Sequence, residues 1–245
     1  MSNQQIDIGV GSVFKGVIRQ GDQEFAQGRV PRLGTKVRFQ DGREFVFCSS
    51  IVSHAAGVLK GMAASSGEIA GTTGAVGAIG ATSITLMTST LAANLYQDGY
   101  VMFTDDTGEG YTYRIKTHTA GTTTVGAVFQ LYDPLIVAID ATTDFVLVQH
   151  PCANTIANTA TTIPVGVTLG AFTYSSATGP GYFWVQTKGP CTILGSGTLV
   201  TGQPADAGAA GVVSPKSADT TNTVGIVIVG ADNGQIPVWL NLNNV

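Results

Sequence analysis

The sequence predicts an all-β protein, a β-sandwich or β-barrel body with little helix and a partly irregular N-terminal arm. Three observations carry this. Short runs rich in Val, Ile, Thr, Tyr, Phe and Trp recur from end to end, and such residues suit a pleated, half-buried surface. Glycine and proline cut nearly every run at strand length, too short for a helix. The strand candidates also follow one another without helical segments between them, the spacing of a sandwich or barrel.

Composition agrees. The chain has 245 residues, 44% apolar and only 11% charged, with 32 glycines. It has the apolar content for a core and lacks the high net charge of disordered chains. A surface of Thr, Ser, Ala, Asn and Gln keeps copies apart poorly and suits a protein that covers itself against neighbours. The net charge of −4 is uneven: residues 1–60 carry eight Lys/Arg against five acids, and the rest four against eleven. Chance segregation explains this as well as an N-terminal segment facing an acidic partner. The excess is too small for nucleic-acid binding, and the pI near 5.2 agrees. The N-terminus lacks a secretory signal and no apolar run reaches membrane-spanning length, so a soluble protein made inside a cell is expected.

In chain order, residues 1–33 read as an arm interrupted by glycines, with one strand candidate at 13–19. Residues 34–66 form a small β unit, opening on a hairpin: Lys36-Val37-Arg38-Phe39, then Gln40-Asp41-Gly42-Arg43, then Glu44-Phe45-Val46-Phe47-Cys48. Asp41-Gly42 supplies the positive φ of a tight primed turn. Residues 51–64 fit either a short helix or a turn followed by a strand. Residues 71–80 place glycine at 71, 74, 77 and 80, which reads as a loop of small residues or as close backbone packing where identical chains meet on a symmetry axis. A central β domain covers 67–152, with strands at 84–87, 99–104, 110–117, 125–131, 135–139 and 144–149. A linker at 153–163 opens a C-terminal β domain, 153–245, that packs with 34–66 in one arrangement. Its strands are expected at 164–169, 181–188, 192–194, 211–214, 224–229 and 236–242. Glu44-Phe45-Val46-Phe47 is echoed by Tyr182-Phe183-Trp184-Val185, as though two similar small units flank the middle.

Catalytic machinery is not evident. The only histidines are His54, His118 and His150, and a nucleophile needs a base in reach. Gly195-Ser196-Gly197 lacks the spacing of a nucleophile elbow. His150-Pro151-Cys152 has no second pair to complete a zinc site. Gly9-Val10-Gly11 is not completed as a dinucleotide fingerprint. Asp105-Asp106-Thr107-Gly108-Glu109-Gly110 has calcium-loop residues but reads better as a hairpin tip. Asp133, read as buried between Tyr132 and Pro134, is a candidate for a paired carboxylate, though turn formation explains it better. Cys48, Cys152 and Cys191 are odd in number and read as small buried thiols. The consecutive Tyr182, Phe183 and Trp184 project to both faces of a strand, fitting burial or, alternatively, a sugar-stacking platform. The expectation is a non-enzyme with no catalytic, cofactor-binding or metal residues and no cofactor.

Three segments carry a resemblance. Tyr111-Thr112-Tyr113-Arg114-Ile115-Lys116, Leu131-Tyr132-Asp133-Pro134-Leu135 and Gly181-Tyr182-Phe183-Trp184-Val185-Gln186-Thr187-Lys188-Gly189-Pro190 are similar to parts of tailed-bacteriophage virion proteins, most like capsid decoration (cement) proteins. The resemblance implies a β-rich homo-oligomer, a trimer by type, on the capsid surface. Its partners would be the major capsid protein and copies of itself, with no direct nucleic acid and no membrane. It carries over no functional residues. A head or tail fibre recognising a host glycan is the alternative. Interfaces of about 1,600 Å² repeated many times would brace a shell, and deleting residues 1–30 would abolish attachment if the arm lies across it.

Overall fold

Alternating apolar positions between glycine turns become sixteen strands among the described residues of the computed structural model. Those residues are 31–63, 69–71, 76–87, 90–122, 125–159, 162–177, 179–216 and 222–242. The strands are β1 (Lys36–Arg38), β2 (Glu44–Ser50), β3 (Leu59–Gly61), β4 (Ile69–Gly71), β5 (Ser83–Leu86), β6 (Tyr100–Asp105), β7 (Thr112–His118) and β8 (Ala127–Leu131). They continue as β9 (Asp144–Val148), β10 (Ile156–Ala157), β11 (Pro164–Thr168), β12 (Gly181–Leu199), β13 (Pro204–Ala207), β14 (Val213–Pro215), β15 (Thr223–Val227) and β16 (Ala231–Asn241). Helix among these residues is limited to a 3-10 turn at Ala209–Gly211. The protein is all-β. Of the arm expected at 1–33, residues 1–30, with the strand candidate at 13–19, lie outside the described residues, as do residues 72–75 of the glycine-spaced segment, while Leu33 at the end of the arm is buried in a core with Phe45 and Trp184.

The chain divides into two compact units, Met1–Ala64 with Pro151–Val245, and Ser65–His150. In the first, β12 pairs with β14, β14 with β13, β13 with β15, β15 with β16, and β16 with β12 again. That circuit is a closed five-strand barrel, which leaves no edge along its path. Its interior is aliphatic: Ile193, Leu199, Val213, Val224, Val227, Ile236, Val238 and Leu240, with Ala205 and Ala207 where a small bore needs small residues.

The N-terminal half of β12 belongs to a second circuit. It pairs with β2 and β11, β11 pairs with β3, and β3 with β10. The Ser49 N–H donates to the Cys152 carbonyl at 2.8 Å and the Thr155 N–H to the Ser49 carbonyl at 2.7 Å, which returns the path to β2. The core here is aromatic, with Phe45, Phe47, Phe183 and Trp184 around Cys48, Cys152, Val165 and Val185.

A strand of 19 residues can serve both circuits because its middle is broken gently. Gly189 has φ +86°, a left-handed conformation that a side chain resists, and its missing Cβ leaves room for Arg43. The register slips between Gln186 and Lys188. The buried Gln186 amide donates to the carbonyls of Lys188 and Pro190, both at 2.9 Å, and so satisfies acceptors beside the slip. The expected separate strands at 181–188 and 192–194 are therefore one element.

The second unit is a six-strand sheet in the order β4-β9-β6-β7-β8-β5, packed on Phe103, Ile115, Phe129, Phe145 and Leu147. The expected strand at 135–139 does not form: Leu135 and Ile139 instead bond the backbone of 77–81, and Gly77 has no room for a Cβ against Leu135 and Ile84. The close packing of that glycine is thus within its own unit.

Other expectations are corrected. The β1–β2 turn has positive φ at Gly42 but not at Asp41. With Phe39 N–H to Arg43 O at 2.8 Å and Gly42 N–H to Phe39 O at 3.0 Å, it is a three-residue hairpin with a glycine bulge, not a two-residue primed turn. Of residues 51–64, the described ones, 51–63, supply a turn and β3 rather than a helix. The linker at 153–163 contains β10, and β13, which the sequence reading lacked, closes the barrel. The echoed runs 44–47 and 182–185 are neighbours in one ladder, with Phe47 opposite Trp184, not the cores of two units.

Candidate functional site

Lysine seldom sits inside a core without a partner. Lys60 is fully buried on β3, so its partners matter. Side chains alternate along a strand, so while Leu59 joins the barrel core, Lys60 points to the other face. There its Nζ donates to Ser50 Oγ at 3.4 Å and lies 6.0 Å from the centre of the Phe183 ring. Burial pulls the ammonium down to about 8, partly opposed by Cys48. On β2, Cys48 and Ser50 share the face that meets Lys60. Burial pushes the Cys48 thiol well up, hydrogen-bond contact with the Cys152 thiol adds to that, and the Lys60 charge acts against it.

His54 completes this centre. Its ring lies 4.6 Å from that of Phe183 and 5.3 Å from that of Phe172. Burial, then the Lys60 charge, lower it to about 4, with the Val52 backbone opposing. At neutral pH the histidine is uncharged. The second circuit thus gathers an amine, two thiols, a hydroxyl and an imidazole from β2, β3 and the segments beside them. Sequence order hides this, because β10, which follows Cys152, pairs with β3, which carries Lys60, from far along the chain.

The remaining candidates do not converge. His118 is a structural residue: its Nε2 accepts from the Tyr96 N–H at 2.9 Å, so its Nδ1–H donates to the Thr119 carbonyl at 2.8 Å. Burial lowers its pKa. His150 stacks on Tyr100 with ring centres 6.3 Å apart. Asp133 is exposed, not buried. The 105–110 loop is a hairpin tip, closed by Gly110 N–H to Phe103 O at 2.9 Å and tied by Thr107 Oγ1 to Asp140. Thr142 hydroxyl and backbone bonds lower the Asp140 pKa. Ser196 is exposed beside the β12–β16 slip. Among the described residues no group of three or more His, Cys, Asp or Glu could hold a metal ion. Phe183 and Trp184 are buried and Tyr182 stacks on Phe47 at 5.9 Å, so these rings form core and not a platform.

The outer face of the barrel presents the other feature. Ladder pairings place Pro190 beside Trp239, Trp239 beside Ile226, and Ile226 beside Pro204. Trp239 is 55% exposed and Ile226 46%. This lateral apolar row borders a groove of about 510 Å³ lined by Arg43, Gln186, Pro190, Thr192, Gln235 and Pro237. Of the basic residues expected to face a partner, Lys60 is internal and Arg43 is held by Asp41 at 2.7 Å.

Fold and site together define a five-strand β-barrel protein with an apolar stripe outside and a lysine–thiol centre in the adjoining circuit. No family model, curated protein or solved structure matches the chain. No helix among the described residues is long and apolar enough to cross a membrane.

Proposed function

We propose that this chain is a structural virion protein of a tailed phage, seated on the outside of the capsid and bracing the shell through broad surface contact. The major capsid protein and copies of the chain itself, as a trimer, are its partners. The observation that supports the reading is the Pro190–Trp239–Ile226–Pro204 row on a surface poor in charge. Exposed aromatic and branched side chains on a rigid barrel suit the centre of a protein–protein interface. Val76, Ile79 and Ile136 on the second unit are exposed as well, and suit contact between copies.

The test is cosedimentation of the purified chain with phage capsids that lack it. Wild type is expected to pellet with the capsids and raise their melting temperature. The Trp239→Ser/Ile226→Ser variant stays in the supernatant with an unchanged fold, and a chain lacking residues 1–30 does the same if the arm also attaches. Wild type that ignores the capsids would overturn the proposal. The groove, with polar Gln186, Gln235 and Arg43 near Trp239, favours one other reading, a fibre that binds a host glycan. Specific binding on a glycan array, without capsid binding, would select it.

A further inference from the structure

Two of the three cysteines are brought together from opposite sides of the second unit's sequence. Cys48 lies on β2 in the chain piece that precedes that unit, and Cys152 directly follows it. Both are fully buried in the same aromatic core, and neither is in a disulfide. The Ser49 N–H holds the Cys152 carbonyl at 2.8 Å, while Ser49 Oγ accepts from the Asn154 N–H at 3.0 Å, so the backbones beside the two thiols are fixed against each other. The Cys152 thiol is also among the groups that raise the Cys48 pKa, as expected of neighbours in one core. Cys191 is apart, on β12, with its Sγ 3.3 Å from the Thr192 carbonyl.

We propose that Cys48 and Cys152 are a cross-link site, joined by a peroxide in the folded protein or by a small-molecule disulfide during folding. With a peroxide, the Cys48 thiolate attacks one oxygen. The O–O bond breaks, the leaving hydroxide takes a proton to become water, and Cys48 holds a sulfenic acid. The Cys152 sulfur then attacks the Cys48 sulfur, the S–O bond breaks, and a second water leaves. Each sulfur gives up one electron and the two peroxide oxygens take both. With a small-molecule disulfide, exchange forms a mixed disulfide on Cys48, which Cys152 resolves, releasing two small thiols. Burial holds the Cys48 thiol protonated, and Lys60, the cation facing it, offsets part of that cost and so acts in favour of the thiolate that begins either route. The bond would close a loop of about 100 residues that contains the whole second unit, so it restricts the unfolded chain strongly.

The full-length chain with Cys191→Ser is exposed to hydrogen peroxide in one arm. In another it is refolded from urea in a buffer of oxidised and reduced glutathione. Both are alkylated in denaturant and mapped without reduction. The expected result in at least one arm is a Cys48–Cys152 linked peptide in a monomer, with a melting midpoint about 10 °C higher that reduction reverses. In the Cys152→Ser chain, a sulfenic-acid probe should label Cys48. The proposal is overturned if both thiols remain alkylatable in both arms, or if the only disulfides join separate chains.

Discussion

Two circuits share β12, and they are built from different materials. The barrel is lined by Val, Ile, Leu and Ala, while the adjoining circuit packs Phe45, Phe47, Phe183 and Trp184 around a lysine, a histidine and two thiols. An aliphatic interior needs only matched volumes to be stable. The second circuit buries groups that each cost free energy when removed from water. Lys60 finds one hydroxyl and an aromatic face, and neither of these partners is a carboxylate. The barrel is scaffold with an outward-facing stripe, and the aromatic circuit is where ionisable groups are buried at the expense of stability.

The largest expected effect tests how far the aromatic circuit depends on its anchor. Trp184 is almost fully buried opposite Phe47, with ring centres 5.2 Å apart. Trp184→Ala should cost about 3–5 kcal/mol in urea unfolding, because the cavity cannot collapse between two paired strands. A loss below about 1 kcal/mol would mean that the circuit is loosely packed and the contrast with the barrel is false.

Lys60→Met sharpens the comparison from the other side. It makes the centre resemble the barrel while leaving Ser50 Oγ bonded to the Thr155 carbonyl at 2.7 Å and to the Val52 N–H at 3.2 Å. The variant should gain about 1–3 kcal/mol, seen as a higher urea midpoint at unchanged slope. A lower midpoint would show that the ammonium is needed for folding.

Titration gives the smallest effect. The His54 pKa falls from 6.5 to about 4 on folding, so between those values the unfolded chain binds more protons. Stability is therefore full above pH 6.5 and declines as pH falls to 4. Because the ring is partly open to solvent, its share is on the order of 1 kcal/mol, and His54→Phe should remove that share from the acid limb of a pH–stability curve. For Lys60, lowered from 10.5 to about 8, stability rises with pH from 8. Above pH 9 the raised Cys48 thiol works against that rise, because the unfolded thiol ionises first. Lys60→Met should flatten the curve between pH 8 and 9. An unchanged curve in either variant would place the group in water.

Much of the fold was legible in residues. The hairpin around Asp41-Gly42 and strands β5 to β9 of the second unit follow from alternation and turn chemistry, which act over a few neighbours. Less was legible where glycine and proline carry two meanings. Gly189-Pro190 reads as a stop, yet Gln186 supplies the two hydrogen bonds that let β12 continue through it. The run Leu135-Ile136-Val137-Ala138-Ile139 looks like a strand, but its backbone partners lie in an irregular segment, so no ladder forms. The buried centre was not legible at all: Leu59-Lys60-Gly61 gives no sign of which face the lysine takes.

By itself, the order of amino acids determined that this protein is of the all-β class, turn-rich and sparing of charge, because those properties depend on side-chain shape and near neighbours. Only the tertiary structure decided that the strands close into a barrel, that Trp239 stands outside it, and that Lys60 and the thiols of Cys48 and Cys152 share one interior. Those outcomes depend on which distant strands pair and in what register, and a shift of one residue turns every side chain to the opposite face.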